Sequence, residues 1–343
     1  MTLPENAPTR KPRRIWLYAP FVVLLLAIAA WTVGWNAMRQ QVFQRMDDYA
    51  RASAEGGYRI DWKSRSLSGF PFRLDLDVVA PRVTETSGWG LSAPRLKAEA
   101  FVFSADHWII VAPDGATLLR RVGGPVTIVA KALRASLSDT AAHPARISVE
   151  GLGLTFTAPP GSAPSALTGS TELHIHSKAG PSDQGAVYLE LDDARVAGSG
   201  PLAVLAGPAP VTLKADAIFT HASALTGPGI AGALRRWSQA GGGLTIRALS
   251  LQAAGTRLET RSGDLTIDGG GRLKGRLDLT AKPGHKLLAL LAGRDAPQPQ
   301  TLRAAEAVLA ARTTGDTATV TVDFQAGQTT LGPVGVGAAP RVY

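Results

Sequence analysis

Apolar and polar residues alternate along most of the chain from Tyr58 onward. Successive side chains of a β-strand point to opposite faces of a sheet, so this period predicts strands with one apolar and one largely polar face. The clearest run begins at Phe70, and we expect Phe70 and Phe72 to lie on its buried face. Pro71 cannot donate a ladder hydrogen bond, which predicts that it lies at a sheet edge or at the start of the strand. The other strong runs are 264–268, 272–280 and 317–324.

Turn-forming residues separate these runs, as at Pro113-Asp114-Gly115 and Gly269-Gly270-Gly271. Most of the intervening segments lack the helical pattern that connects parallel strands, so the spacing predicts an antiparallel meander. The fold class is therefore mainly β, with one long antiparallel sheet extending over residues 57–343. A subdivision of this domain could fall near 138–170, where glycine, proline and serine are frequent in part of the segment.

A few short helices interrupt the predicted strands. Two are predicted, at about 229–240 and 284–293, whereas the segment 301–311 could be helix or strand. The phase of the alternation changes at Gly151-Leu152-Gly153 and again within 244–251, where Ile246 and Leu249 cannot share a face of a regular strand. These changes of phase predict bulges or kinks at both places.

Residues without formal charge run from Ile15 to Trp35 near the N-terminus. As a helix, this run would be about 31 Å long, which is enough to cross a bilayer core. Aromatic residues lie near both of its ends, as in the two interfacial belts of membrane proteins. Four basic residues precede the run within 1–14, so the positive-inside rule places the N-terminus in the cytoplasm and 36–343 across the membrane.

Two other interpretations of this run stay open. Ala27-Ile28-Ala29 before Ala30 could be the cleavage site of a signal peptide, and a helix buried within the protein is the third reading. Apolar residues continue at helical spacing through 36–56, which predicts a helical stalk beyond the membrane span. We favour a stalk that packs on its own domain over one that lies on the membrane surface or pairs with a partner.

The net charge of +9 is concentrated near the N-terminus, because residues 1–45 carry +5 and the remaining 298 residues carry +4. The sheet region therefore gives little support to a nucleic-acid partner. The chain has no cysteine, which excludes disulfides, thiolate metal sites and a cysteine nucleophile. It also lacks a phosphate-binding loop, a GxSxG elbow and an HExxH motif, so we predict neither a cofactor nor an enzymatic activity.

One group of residues keeps a metal site open as an alternative. Glu172, His174 and His176 are spaced by two, so on a strand they would project from the same face. Two imidazoles and a carboxylate could bind Zn²⁺ and leave one position open. The alternative that we favour is a solvated polar face, with Leu173 and Ile175 pointing inward.

The segment from Trp62 to Leu76, with its Ser-Gly-Phe-Pro-Phe-Arg motif, resembles an uncharacterised family of Gram-negative envelope proteins anchored in the inner membrane. The hairpin pattern from Gly263 to Leu279 is more distantly similar to the closing hairpins of AsmA-like envelope proteins. The similarity to AsmA-like proteins implies a curved, half-barrel-like antiparallel sheet with an apolar concave face. It also implies a role in lipid handling or envelope maintenance.

The hypothesis that accounts for these features is an anchored periplasmic binding or scaffold protein whose apolar sheet face receives lipid or envelope proteins. One alternative is an anchored metal-dependent hydrolase that uses the Glu172, His174 and His176 face. Another is a purely structural subunit of an envelope complex. The residues predicted to contact lipid are Phe70, Phe72, Leu74, Leu76, Leu265, Ile267, Leu277 and Leu279.

Overall fold

A computed structural model describes residues 15–198, 201–227, 229–285, 287 and 299–343. The α-helices in this part of the chain are α1 (Ile15–Glu55), α2 (Pro201–Ala206), α3 (Gly229–Gln239) and α4 (Pro299–Ala311). The helix predicted at 229–240 is confirmed, and the ambiguous segment 301–311 is helical. The helix predicted at 284–293 falls mostly outside the described residues.

The described strands form one 21-stranded antiparallel sheet, and together with the helices they confirm the predicted mainly β fold class. The strands are β1 (Tyr58–Asp61), β2 (Ser64–Ser68), β3 (Arg73–Val79), β4 (Arg82–Glu85), β5 (Gly90–Ser92), β6 (Arg95–Phe101), β7 (Ser104–Val111), β8 (Ala116–Leu119), β9 (Val126–Val129), β10 (Ala132–Ser138), β11 (Arg146–Thr157), β12 (Leu167–Ala179), β13 (Gly185–Val196), β14 (Val211–Phe219), β15 (Leu244–Ala253), β16 (Thr256–Ile267), β17 (Leu273–Lys282), β18 (Thr313–Thr314), β19 (Thr317–Gln325), β20 (Gln328–Leu331) and β21 (Val334–Ala338).

The N-terminal half of the sheet is creased across its strands. Consecutive short strands, such as β3 and β4, continue one another and are separated by breaks that include Pro81, Pro94 and Pro113. One arm pairs in the order β2–β3–β6–β7–β10, and the other in the order β1–β4–β5–β8–β9. Both arms end on β11, at either side of Gly153, whose φ of +58° bends that strand. Proline cannot donate to a ladder, so the crease follows positions where pairing is interrupted.

Beyond the crease, β11 to β17 form a simple meander that continues through β19, β20 and β21. The predicted change of phase within 244–251 is a bulge. Ala217 pairs with Ile246 and Asp216 with Ala248, so Arg247 is the extra residue. The segment 138–170 does not interrupt the sheet, because β10, β11 and β12 pair in sequence across it.

The C-terminal half of α1 packs on the apolar face of β2, β3 and β6, in line with the interpretation of 36–56 as a stalk on its own domain. Trp35 is buried against Leu67 and Leu74, and its indole N–H donates to the carbonyl of Arg73 at 3.2 Å. Farther along the helix, Asp47 accepts two hydrogen bonds of 2.7 Å from Arg65. These contacts fix the direction of the helix relative to the sheet.

The structure contradicts the predicted start of the first strong strand. β3 begins at Arg73, and the preceding residues form a tight turn in which the Arg73 N–H donates to the Gly69 carbonyl at 2.8 Å. Gly69 has a φ of +98° and no room for a side chain. Phe70 and Phe72 are 49% and 57% exposed, so the prediction that they lie on the buried face is wrong. Their alternation continues that of the strand, but the chain reverses at Pro71.

The sheet is strongly curved, because α3 joins parts of it that would be far apart in a flat sheet. At its start, the Ile230 N–H donates to Glu85 of β4 at 2.8 Å. Near its end, the indole N–H of Trp237 donates to the carbonyl of Thr220, just after β14, at 2.6 Å. Seven strand spacings separate β4 from β14, which is about 34 Å in a flat sheet, whereas Ile230 and Trp237 are only about 11 Å apart along a helix.

Candidate functional site

The strand register places a continuous apolar line across one face of the sheet. Residues that pair directly share a face, so the line can be followed from strand to strand. It crosses nine strands, from β3 to β15. Its members are Leu76, Ala98, Ile110, Ala135, Val149, Ile175, Leu189, Ala215 and Leu249.

The middle of this apolar face is only half-buried. We call the middle portion the open groove; its twelve residues, all half-buried, are Ile110, Leu133, Ala135, Leu137, Val149, Leu173, Ile175, Leu189, Leu191, Leu213, Ala215 and Leu249. They belong to none of the three clusters of buried apolar side chains in the described parts of the chain. The face is thus covered at its two ends and accessible between them.

The strand spacings give the approximate dimensions of the open groove. Ile110 on β7 and Leu249 on β15 are separated by six strand spacings, or about 29 Å in a flat sheet, and the groove is about 13 Å wide along β10. Multiplying this length by this width gives an area of a few hundred Å². The largest apolar patches that soluble proteins expose, and often use for binding, have this size. One leaflet of a bilayer core is about 15 Å thick, which is shorter than the groove measured along the sheet.

The C-terminal end of the apolar face is a packed core under α4. Leu277 and Leu279 pack against a cluster that includes Leu309 of α4 together with Val320 and Val322 of β19. Leu265 and Ile267 are buried, and both line a cavity of about 240 Å³ between the sheet and α3. Thr266 is the one polar residue in the cavity lining; the rest is Phe219, Leu225, Leu234, Trp237, Leu244, Leu265, Ile267, Leu273 and Val342.

The N-terminal end of the apolar face is covered by α1. Leu74 is fully buried beneath Trp35, and Leu76 is half-buried beside the same cluster. The eight residues predicted to contact lipid therefore lie in three different environments. Phe70 and Phe72 form part of an exposed turn, two leucines pack under α1, and the four later residues belong to the C-terminal core or its cavity.

Glu172, His174 and His176 share the opposite, polar face of the sheet, as their spacing predicts. The His174 ring nitrogen Nε2 lies 3.1 Å from a carboxylate oxygen of Glu172, and the two imidazole rings are stacked with centroids 6.3 Å apart. Leu173 and Ile175 lie on the groove face, which matches the solvated-face interpretation. Within the described residues, no group of three His, Asp or Glu side chains has an arrangement that could hold a metal ion.

Next to these histidines, a hydrogen-bonded network links β13 to β14. Glu190 accepts hydrogen bonds from Lys214 and, at 2.6 Å, from the Tyr188 hydroxyl. The Lys214 bond, with a smaller effect from Tyr188, lowers the pKa of Glu190. Burial raises the pKa of the neighbouring Asp192. Ion pairs and hydrogen bonds of this kind satisfy the side chains of the polar face, while the groove face of the same strands is apolar.

Sequence reasoning did not identify the open groove as a candidate site, because its strands lie outside the strongest alternating runs. Val149, Ile175 and Leu189 occur in alternating segments. The missing information was the register, which shows that these positions form one line. Alanine and glycine weaken the alternation in these strands. The leucine-rich strands that pack under helices have a stronger pattern.

Fold and site together define a class: a curved antiparallel sheet whose apolar face is open in the middle, attached to a long apolar helix. The chain belongs to a family described as "Uncharacterized protein conserved in bacteria (DUF2125)", whose model matches residues 35–340. The match begins at the end of the apolar run and covers the whole sheet. No curated protein and no solved structure gives a significant match.

The apolar part of α1 is the remaining element with functional meaning. This is the one described helix that is long and apolar enough to cross a membrane, and only 6% of its most apolar window is buried. From Phe21 to Val33, its large apolar side chains other than Trp31 are all exposed. The finding supports a membrane anchor by length and composition.

Proposed function

We propose that this protein is an anchored binding protein whose open groove holds an acyl chain of an envelope lipid. The observation that carries this proposal is the half-buried apolar line from Ile110 to Leu249, which is continuous across seven strands. Exposing an apolar face of this size to water is unfavourable, and binding an apolar molecule would remove that area from water.

The energetics favour an acyl chain as the occupant. Each methylene group removed from water contributes about 0.8 kcal/mol, so ten methylenes along the floor gain about 8 kcal/mol before association costs. None of the twelve residues of the open groove is charged, so a bound acyl chain would not desolvate a charge there. The twelve residues of the open groove are Leu, Ile, Val and Ala. Such side chains can select an acyl chain by its length and shape, but they offer no polar group to a lipid headgroup.

The proposed location follows from the anchor. The basic N-terminus remains in the cytoplasm, the apolar part of α1 crosses the inner membrane, and the sheet lies in the periplasm. In this arrangement, the protein takes lipid from the membrane to which it is attached, or presents lipid to another envelope component.

Val149 and Ser148 provide a matched pair for the test. They are neighbours on β11, both half-buried, and they point to opposite faces: Val149 lies in the open groove and Ser148 pairs with His176 on the polar face. The full chain, Val149→Asp and Ser148→Asp are purified in the same detergent, and phospholipid per chain is measured by native mass spectrometry. Annular lipid at the anchor is common to all three proteins.

We expect Val149→Asp to lose about one bound acyl lipid per chain relative to the unchanged protein, because a carboxylate in the groove must be desolvated when a chain binds. Ser148→Asp should retain it. Circular dichroism checks that both variants are folded. Equal lipid content in all three folded proteins would contradict the proposal.

A further inference from the structure

Two hairpin turns place exposed aromatic side chains around the end of the apolar part of α1. Phe70 and Phe72 belong to the β2–β3 turn, Phe101 is the last residue of β6, and Phe103 belongs to the β6–β7 turn. We call these four residues the aromatic collar. Their exposed fractions run from 49% for Phe70 to 78% for Phe103. Clusters of exposed phenylalanine are unfavourable in water, so the collar needs an apolar or interfacial environment.

Three of the four collar residues, Phe70, Phe72 and Phe103, contact aromatic side chains of the helix. The Trp31 ring stacks on Phe103 with centroids 5.8 Å apart, and its centroid lies 6.3 Å from that of Phe72. The Trp31 indole N–H donates to the Pro71 carbonyl at 3.0 Å. One turn later, Trp35 meets the edge of Phe70 at 5.7 Å. The depth of the collar is therefore set by the depth of residues 31–35 of α1.

This depth can be estimated from the length of the apolar run. The run from Ile15 to Trp35 is about 31 Å long as a helix, close to the 30 Å hydrocarbon core of a bilayer. Trp31 lies four residues, or about 6 Å, before the end of the run. The headgroup region lies beyond that end, so rings that touch Trp31 lie in the outer part of the acyl-chain layer, about 6 Å below the headgroups.

We propose that the aromatic collar is a membrane-docking surface that inserts into the outer acyl-chain layer of the leaflet where α1 leaves the bilayer. The occupant is the lipid itself, because the collar is continuous with the exposed apolar side chains of the helix, such as Ile28, which lies one turn before Trp31 on the same face. The inference rests on the anchor in the proposed function, and it goes further by placing two edge turns of the sheet within the lipid.

The absence of cysteine from the chain makes the test direct, because each introduced cysteine carries a unique label. Phe103→Cys is compared with Val122→Cys, a matched control that is 81% exposed and lies in the β8–β9 turn of the other arm. Leu25→Cys reports whether the anchor itself is inserted. The full chains are labelled with an environment-sensitive fluorophore and reconstituted in phospholipid nanodiscs, where both bilayer faces are open to water.

The label at residue 103 should be quenched by lipids that carry a nitroxide on the outer part of the acyl chain, and several-fold less by aqueous iodide than the label at residue 122. The label at residue 25 should respond to nitroxides deep in the bilayer. Iodide quenching at residue 103 as strong as at residue 122 would overturn the docking surface. Protection from both quenchers would also overturn it, because protein would then cover the collar.

The two proposals can fail separately. Insertion of the collar together with unchanged lipid content in Val149→Asp would contradict only the groove. Loss of bound lipid in Val149→Asp, together with a collar that remains in water, would contradict only the docking surface. A label at residue 25 that iodide reaches would remove the anchor, and the docking surface with it.

Discussion

The hydrogen bond at the start of α3 offers a quantitative test of how the curved sheet is held. Gly229 has a φ of +68°, and a Cβ atom placed on it would lie 2.1 Å from Oε1 of Glu85. That carboxylate is almost fully buried and accepts the hydrogen bond from Ile230 at 2.8 Å. Replacing Gly229 with alanine therefore requires the carboxylate to move away from its donor.

The expected cost has two parts. A hydrogen bond to a charged group contributes about 1.5–3 kcal/mol, and alanine in the left-handed region costs about 1–2 kcal/mol more than glycine, giving about 2.5–5 kcal/mol in total. Gly241, just after the other end of α3, is the control. Its φ is +81°, but nothing lies within 4 Å of an added Cβ, so Gly241→Ala should show only the second part.

Hydrogen exchange of the α3 amides measures the free energy of local opening in the full chain. Both variants should lower it, and Gly229→Ala should lower it by about 1.5–3 kcal/mol more than Gly241→Ala, the difference being the bond to Glu85. Equal effects of the two substitutions would mean that Glu85 contributes nothing to holding α3. The account of α3 as the link between the two parts of the sheet would then be refuted.

Two further predictions concern the contact between α1 and the sheet. Leu74→Ala should cost about 2–5 kcal/mol in denaturant unfolding, because the site is fully buried, whereas Phe72→Ala should cost at most about 1.5 kcal/mol; equal costs would contradict the assigned faces. The hydrogen bonds from Arg65 lower the pKa of Asp47, so this contact stabilises the fold above the unfolded-state pKa of about 4 and is lost as the pH falls through the lowered value. Proteolysis of the α1–sheet junction should therefore increase in acid in the unchanged protein and be less pH-dependent in Asp47→Asn; identical pH profiles would contradict it.

The strand content was predictable because alternation is a local property. The bulge in β15 was predictable for the same reason, since Ile246 and Leu249 cannot share a face of a regular strand. The crease was not. Pro81 and Pro94 are visible in the sequence as strand breakers, but only the pairing of β3 with β6 and β4 with β5 shows that their breaks lie side by side.

The position of the site depends on what covers each part of the apolar face. Leu277 and Val149 occupy equivalent positions in alternating strands, and no local pattern distinguishes them. The difference is α4, which packs over the C-terminal strands and whose segment could be read as helix or strand. The error at Phe70 and Phe72 has a similar origin, because the apolar period continues through residues that form a turn.

The groove's occupant can be identified most directly by placing a photoreactive amino acid at residue 175 or at residue 176 of the full chain in living cells. Ile175 lies in the open groove, and the adjacent His176 faces the opposite side of the sheet. After irradiation, mass spectrometry of the purified chain should show an acyl-lipid adduct at residue 175 and none at residue 176. Lipid adducts of equal yield at both positions, or none at residue 175, would contradict the claim that this groove holds an acyl chain.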